Sequence, residues 1–232
     1  MKTHVLAAFA LWLCVHANAQ SELTKVGNLQ NENSTTSLSG LAVGDVFDDN
    51  EAGTCLKYEV VDVSDPSRPM AKIVGVSDAD KGKSEISIKI VNRFPHGADL
   101  FTVQRIAPKA FSYARNLATV TCSASMPLQI EENTFHVSAY AHAMLVVPKT
   151  EGTMSVYAHA TGWRHFLRKS NTAGLLLGDL SGNGQLDTND IALLIRHYRK
   201  SEPYRELHDM DGNGKIDTND IALSIRIFKM LK

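Results

Sequence analysis

Between Leu41 and Trp163 apolar residues recur mostly at every second position. Ile86, Ile88 and Ile90 alternate with Ser87 and Lys89, the signature of a strand with one buried face. Similar alternation, or short apolar runs, predicts strands at 56–63, 70–76, 100–106, 117–123, 134–141, 144–147 and 154–161. Asp65-Pro66, Arg68-Pro69, Lys81-Gly82 and His96-Gly97 supply turn chemistry between them. Many short strands with regular turns and almost no helical period predict an all-β sandwich over residues 41–168.

The period then changes. Residues 169–174 (Lys-Ser-Asn-Thr-Ala-Gly) read as a short boundary, and a second domain is expected over 174–232. Ile191, Leu194, Ile195 and Tyr198 fall at helical spacing, as do Ile221, Ile225 and Phe228. Ser201-Glu-Pro203 ends the first of these helices. The predicted class is therefore mixed, a β-sandwich followed by a small all-α pair of loop–helix units. The strand region loosely resembles an immunoglobulin-like or cadherin-like sandwich.

Each helix is preceded by the same line of residues. Asp179-Leu-Ser-Gly-Asn-Gly-Gln-Leu-Asp-Thr-Asn-Asp190-Ile-Ala-Leu recurs 30 residues later as Asp209-Met-Asp-Gly-Asn-Gly-Lys-Ile-Asp-Thr-Asn-Asp220-Ile-Ala-Leu. A repeat this close implies two copies of one supersecondary unit. A hard cation such as calcium takes six to eight oxygen ligands, and a twelve-residue loop supplies them from positions 1, 3, 5, 7, 9 and 12. Those positions hold Asp179, Ser181, Asn183, the Gln185 carbonyl, Asp187 and Asp190 in the first loop. In the second they hold Asp209, Asp211, Asn213, the Lys215 carbonyl, Asp217 and Asp220. Gly184 and Gly214 stand at position 6, where the chain turns sharply. Two calcium ions are expected, with the second loop the tighter, having four carboxylates at ligand positions against three. Leu186 and Ile216 at position 8 are placed to pack under the loops.

The line Asp-x-Asn/Asp-Gly-Asn-Gly-x-Ile/Leu-Asp-x-x-Asp, followed by Ile-Ala-Leu and a basic residue, resembles the dockerin module. It departs from the EF-hand in having Asp at position 12 and no amphipathic helix before the first loop. The resemblance implies structural calcium and a docking face for a cohesin, a β-sandwich receptor domain. It also implies partner-reading residues at loop positions 10 and 11 and on the helix: Thr188, Asn189 and Arg196, then Thr218, Asn219 and Arg226. Asn at position 11, and Ile195 and Ile225 before the arginines, depart from the family's usual pattern. Thr-Asn at these positions is equally readable as helix capping. The duplicated set implies docking in two orientations related by a half-turn.

Composition and charge refine this picture. The net charge of −1 disfavours nucleic-acid binding. Residues 171–232 carry eight Lys+Arg against nine Asp+Glu, a balance of −1 that two divalent ions turn to +3. A segment this small has a thin core, so metal binding is expected to be coupled to folding.

The chain opens with a short positive stretch, an apolar run over 5–15 too short to span a bilayer, and Ala17-Asn-Ala19 before a cut. Residues 1–19 thus read as a secretory signal and 20–40, mostly polar, as a flexible leader. Leu13 is too bulky for a lipoprotein signal on Cys14. Asn33-Ser34-Thr35 fits a glycosylation acceptor. No later segment is long and apolar enough for a membrane span. The expected location is secreted, or cell-surface through a partner. In an exported chain Cys55 and Cys122 read as one disulfide, the alternative being two buried free thiols.

Candidate chemistry before the repeat is sparse. On the predicted strands His136, Ser138, Tyr140 and His142, with Ser155, Tyr157, His159 and Thr161, would form a His/Tyr face able to stack on polysaccharide. Asp45, Asp48, Asp49, Glu51, Asp78 and Asp80 would line an extra calcium site or form solvated acidic turns. No Gly-x-Ser-x-Gly, His-Glu-x-x-His or phosphate loop occurs. The expectation is a non-catalytic calcium-binding protein that docks to a cohesin-type partner. The alternatives are a small polysaccharide-active enzyme of glycoside hydrolase type or a carbohydrate-binding module.

Overall fold

The computed structural model describes residues 41–48, 55–78, 82–93 and 100–231. The expected signal and leader, and Asp49, Glu51 and Asp80 of the acidic group, lie outside the described residues.

Among the described residues nine strands form two sheets. The first has the order β1 (Val46–Asp48), β2 (Leu56–Asp62), β3 (Met70–Val76), β6 (Leu100–Ile106), β5 (Val91–Arg93). Its β2–β3 hairpin turns at Asp65, whose carboxylate accepts from the Ser67 N–H at 2.9 Å and hydroxyl at 2.6 Å. The second sheet has the order β4 (Glu85–Ile88), β7 (Thr119–Cys122), β8 (Met144–Val147), β9 (Arg168–Asn171). Inward residues of both sheets, among them Tyr58, Val60, Ile73, Ile88, Val120 and Leu145, belong to one apolar core.

Every pair in the second sheet is parallel. Immunoglobulin-like sandwiches are antiparallel throughout, so that part of the expectation is corrected. Thr119 pairs with Met144 and Met144 with Arg168, rungs 25 and 24 residues apart. Two isolated parallel bridges, Arg105 to Gln129 and Phe111 to Phe135, repeat the 24-residue offset. Stacking of this kind, each rung lying on the one before it, is the geometry of a short solenoid.

Parallel neighbours need a crossover, usually a helix. Here α1 (Val137–His142) lies between β7 and β8, and α2 (Thr153–His159) with a 3₁₀ turn at Trp163–His165 lies between β8 and β9. These are segments expected as strands 134–141 and 154–161. Helices of six and seven residues are too short to display a 3.6 period, while alternating Ala, a strong helix former, imitates a period of two. The His/Tyr strand face therefore does not form. Tyr140 and Tyr157 are buried in an aromatic cluster, with Tyr157 5.3 Å from Trp163 and Phe135 5.0 Å from Phe166 between ring centres. The Trp163 indole donates to the Leu128 carbonyl at 2.8 Å, fixing the turn that returns the chain to β9.

Strand β9 itself lies where a boundary was expected. Its residues are polar, but Lys169 and Ser170 are buried and the backbone pairs with β8. Ser170 also bridges Leu176, so the sheet leads directly into the repeat. The described residues belong to one compact unit, 36–232. Leu177, Leu194, Met210 and Ile227 of the repeat share the core of the sheets.

Cys55 and Cys122 are both buried thiols with no disulfide between them, which overturns the expected pairing. Each sulfur has its own neighbour. Lys83 Nζ lies 2.8 Å from Cys55, and the Tyr157 hydroxyl 3.0 Å from Cys122. Spacing along a chain does not fix which side of a core a cysteine faces.

Candidate metal centre

The repeat folds as two loop–helix units with α3 (Thr188–Lys200) and α4 (Thr218–Met230). Both helices start on the same device. Asp187 and Asp217 are N-caps, each accepting from the N–H two residues on, Asn189 and Asn219, at 2.7 Å. Asp190 and Asp220 reach back to the N–H of Asp187 and Asp217, also at 2.7 Å, closing a capping box in each copy. α3 ends on Ser201 in the left-handed region, before Pro203.

The last acid of each loop also ties the loop's start to its helix. Asp190 Oδ1 accepts from the N–H of Leu180 at 3.0 Å and Ser181 at 2.9 Å. Asp220 Oδ1 accepts from Met210 at 2.8 Å and Asp211 at 3.4 Å. The first acid gathers the turn. Asp179 accepts from Gly182, Asn183 and Gly184, and Asp209 from Asn213 and Gly214. Left-handed Gly184 and Gly214 let the chain fold around these carboxylates.

The two loops are not equal. Asp209, Asp211 and Asp220 bring carboxylate oxygens within 4.8 Å of one another, the group of metal-ligating side chains found among the described residues. Asp209 and Asp220 are fully buried. Their hydrogen bonds come from backbone N–H groups and, at Asp209, from the Tyr204 hydroxyl at 2.9 Å. Burial pushes Asp220 up to about 6 and raises Asp211 as well, with Asp209 adding to the second shift. Clustered carboxylates, two of them fully buried and answered by no cationic side chain among the described residues, suit a hard divalent cation, so the donor set of the second loop fits calcium.

In the first loop Asp179 and Asp190 are buried, but position 3 is Ser181. Its hydroxyl lies 3.3 Å from Asp179. Asn183 donates to Asp187 at 3.0 Å, and hydrogen bonds from Asn189 and Asn183 hold Asp187 below the usual carboxylate range. Gln185 and Lys215 are exposed at position 7, each donating its N–H to the Asn two residues back. Leu186 and Ile216 are half-buried against the core.

Thr188, Asn189 and Arg196 are exposed, and so are Thr218, Asn219 and Arg226. Arg226 borders a groove of about 490 Å³ that continues over Val137, Arg164 and Met230. In the other candidate site Lys57 pairs with Asp78 at 2.7 Å and Asp48 at 4.0 Å, so a lysine ammonium stands between these acids. Asp45 caps its own turn through the Ala42 N–H.

Sequence reading missed Tyr204. The signal for it was a break in the repeat, since the residue 30 positions earlier is Gly174.

Residues 177–229 match the profile of the dockerin type I domain, under a quarter of the chain. A dockerin type I domain is thus present at the C-terminal end of the described fold. No curated protein and no solved structure matches the chain. Among the described residues no helix is long and apolar enough to cross a membrane.

Proposed function

We propose that the chain is an exported, non-catalytic protein whose residues 174–232 bind two calcium ions and dock it to a cohesin-type domain. Residues 41–168 form the part that is displayed. The observation that carries this reading is the duplicated loop, in which an acid at position 12 ties the loop to its helix in the same way in both copies. That shared frame presents Thr188, Asn189 and Arg196, and again Thr218, Asn219 and Arg226, to solvent.

Bound calcium would be held by the oxygens of positions 1, 3, 5, 7, 9 and 12, neutralising the clustered acids and cross-linking each loop. The loaded module becomes mildly basic, with Arg196, Arg199, Lys200, Arg226 and Lys229 on its helices. An acidic face on the partner complements it. The amino-terminal pattern of residues 1–19 supports export.

The test is binding of the full chain to a panel of purified cohesin domains by calorimetry, with calcium and with excess chelator. Calcium-dependent binding, lost when Thr188, Asn189, Arg196, Thr218, Asn219 and Arg226 are changed together, is the expected result. Binding unaffected by chelator, or by the six changes, overturns the reading.

A further inference from the structure

The second loop differs from the first in what lies outside it. Gly212 at its position 4 is pressed against α2: a Cβ there would stand 2.2 Å from the Ser155 carbonyl oxygen and 3.0 Å from Ala158 Cβ. Gly182, its counterpart in the first loop, has nothing within 4 Å of the same position. The two glycines share their backbone conformation, with φ of 70° and 75°. Contact with α2 therefore belongs to one copy alone.

Ser155 is the hub of that contact. Its N–H donates to Glu206 Oε1 at 3.0 Å, and its hydroxyl lies 3.3 Å from the Gly212 carbonyl. Tyr204 stands two residues before Glu206. Its hydroxyl donates to Asp209 Oδ2 at 2.9 Å. Hydrogen bonds thus tie α2, in the sheet-bearing part of the molecule, to Gly212 inside the second loop and to Glu206 just ahead of it, while Tyr204 holds the loop's first acid. In the first copy Tyr204 and Glu206 are replaced by Gly174 and Leu176, neither of which can make such a bond.

We propose that Ser155 and Tyr204 are positioning residues for the metal of the second loop, so that α2 completes this site and leaves the first loop autonomous. The proposal rests on the calcium reading of the repeat. Outer partners of this kind orient a ligating carboxylate and set its basicity, and losing one typically weakens metal binding by roughly 10–100-fold. Coupling is reciprocal: if α2 holds the second loop for the ion, the ion must hold α2. Calcium alone should then steady a helix whose residues are not among its ligands.

The experiment uses the full chain, with calcium as the ligand in calorimetry and hydrogen exchange of the 153–159 segment as a second readout. Wild type should show two binding events. Ser155→Ala and Tyr204→Phe should each weaken one event roughly tenfold and leave the other within about twofold. Gly212→Ala should do the same, while Gly182→Ala, equally strained by its φ, should spare that event. Amides of α2 should exchange more slowly on adding calcium, and this response should vanish in Ser155→Ala. Absence of any binding event in wild type overturns the calcium reading itself. Two intact events in both Ser155→Ala and Tyr204→Phe, or α2 exchange indifferent to calcium, overturns this proposal alone. Should Ser155→Ala fail to fold, Tyr204→Phe, which removes one oxygen from a half-exposed ring, decides it.

Discussion

The Tyr157 hydroxyl lies 3.0 Å from Cys122 Sγ and 2.9 Å from the Ala124 carbonyl, all within the core. Burial raises both the phenol and the thiol above their ordinary values, so the pair is neutral under ordinary conditions. Cys122 is thus a packed core thiol, with a partner other than Cys55.

Peptide mapping after alkylation in denaturant, without reductant, should recover Cys55 and Cys122 as separately alkylated thiols. Reductant should leave the melting temperature unchanged. Tyr157→Phe leaves the Ala124 carbonyl without its buried donor and should cost about 1–3 kcal/mol in denaturant unfolding. A Cys55–Cys122 cross-linked peptide would refute this assignment.

The acids of the first loop should separate cleanly in mutagenesis without metal. Asp187→Ala removes the N-cap acceptor and its bond from the Asn183 side chain, and should destabilise by about 1 kcal/mol. Asp190 is fully buried and accepts from three backbone N–H groups, those of Leu180, Ser181 and Asp187. Asp190→Ala orphans all three and should cost several times as much, roughly 3 kcal/mol or more. Unfolding curves in excess chelator check the order; equal losses would show that Asp190 acts only as a ligand.

The legible and illegible parts of this chain divide on physical grounds. β3 and β6 emerged at the boundaries expected from Met70–Val76 and Leu100–Ile106, because one apolar face on an extended run leaves little choice. The repeat was readable because acids and glycines recur at the same loop positions in both copies. α1 and α2 were not, since one and a half turns rich in alanine carry no period. β9 was hidden by its composition: Lys169 is buried only because the Phe166 and Arg164 carbonyls accept from its Nζ, at 2.5 and 3.3 Å. The parallel stacking at 24–25 residues was not legible from strand patterns, which do not specify partners. The link from Ser155 to Gly212 joins residues 57 positions apart and belongs to packing alone.

Lys169 should make the fold more stable with rising pH over a defined window. Burial lowers its amine from 10.5 to about 7. Between those values the unfolded chain binds a proton that the folded chain does not, so stability rises with pH from about 7 and is flat below it. The slope approaches about 1.4 kcal/mol per pH unit at most. Lys169→Met should abolish this component. Denaturant unfolding of both proteins at pH 6, 7, 8 and 9 measures it, and parallel profiles would refute the prediction.

Calcium and protons should compete at Asp220, with opposite consequences for the free and loaded chain. Its folded value near 6 lies above the ordinary 3.8, so the metal-free fold takes up a proton between those values that the unfolded chain lacks. For this group the metal-free fold is therefore most stable below about pH 4 and loses stability as pH rises to 6. Metal binding must release that proton, so affinity at the second loop should fall roughly tenfold per unit below pH 6 and stay level above it. The rise in melting temperature on adding calcium should accordingly be larger at pH 7 than at pH 5. Asp209→Ala should remove more of that rise than Asp179→Ala, since the clustered carboxylates belong to the second loop. Asp220→Asn should flatten the pH response while lowering affinity. Thermal melts with and without calcium at pH 5, 6 and 7 check all of this; a calcium effect equal at pH 5 and 7 would show that Asp220 is already ionised throughout.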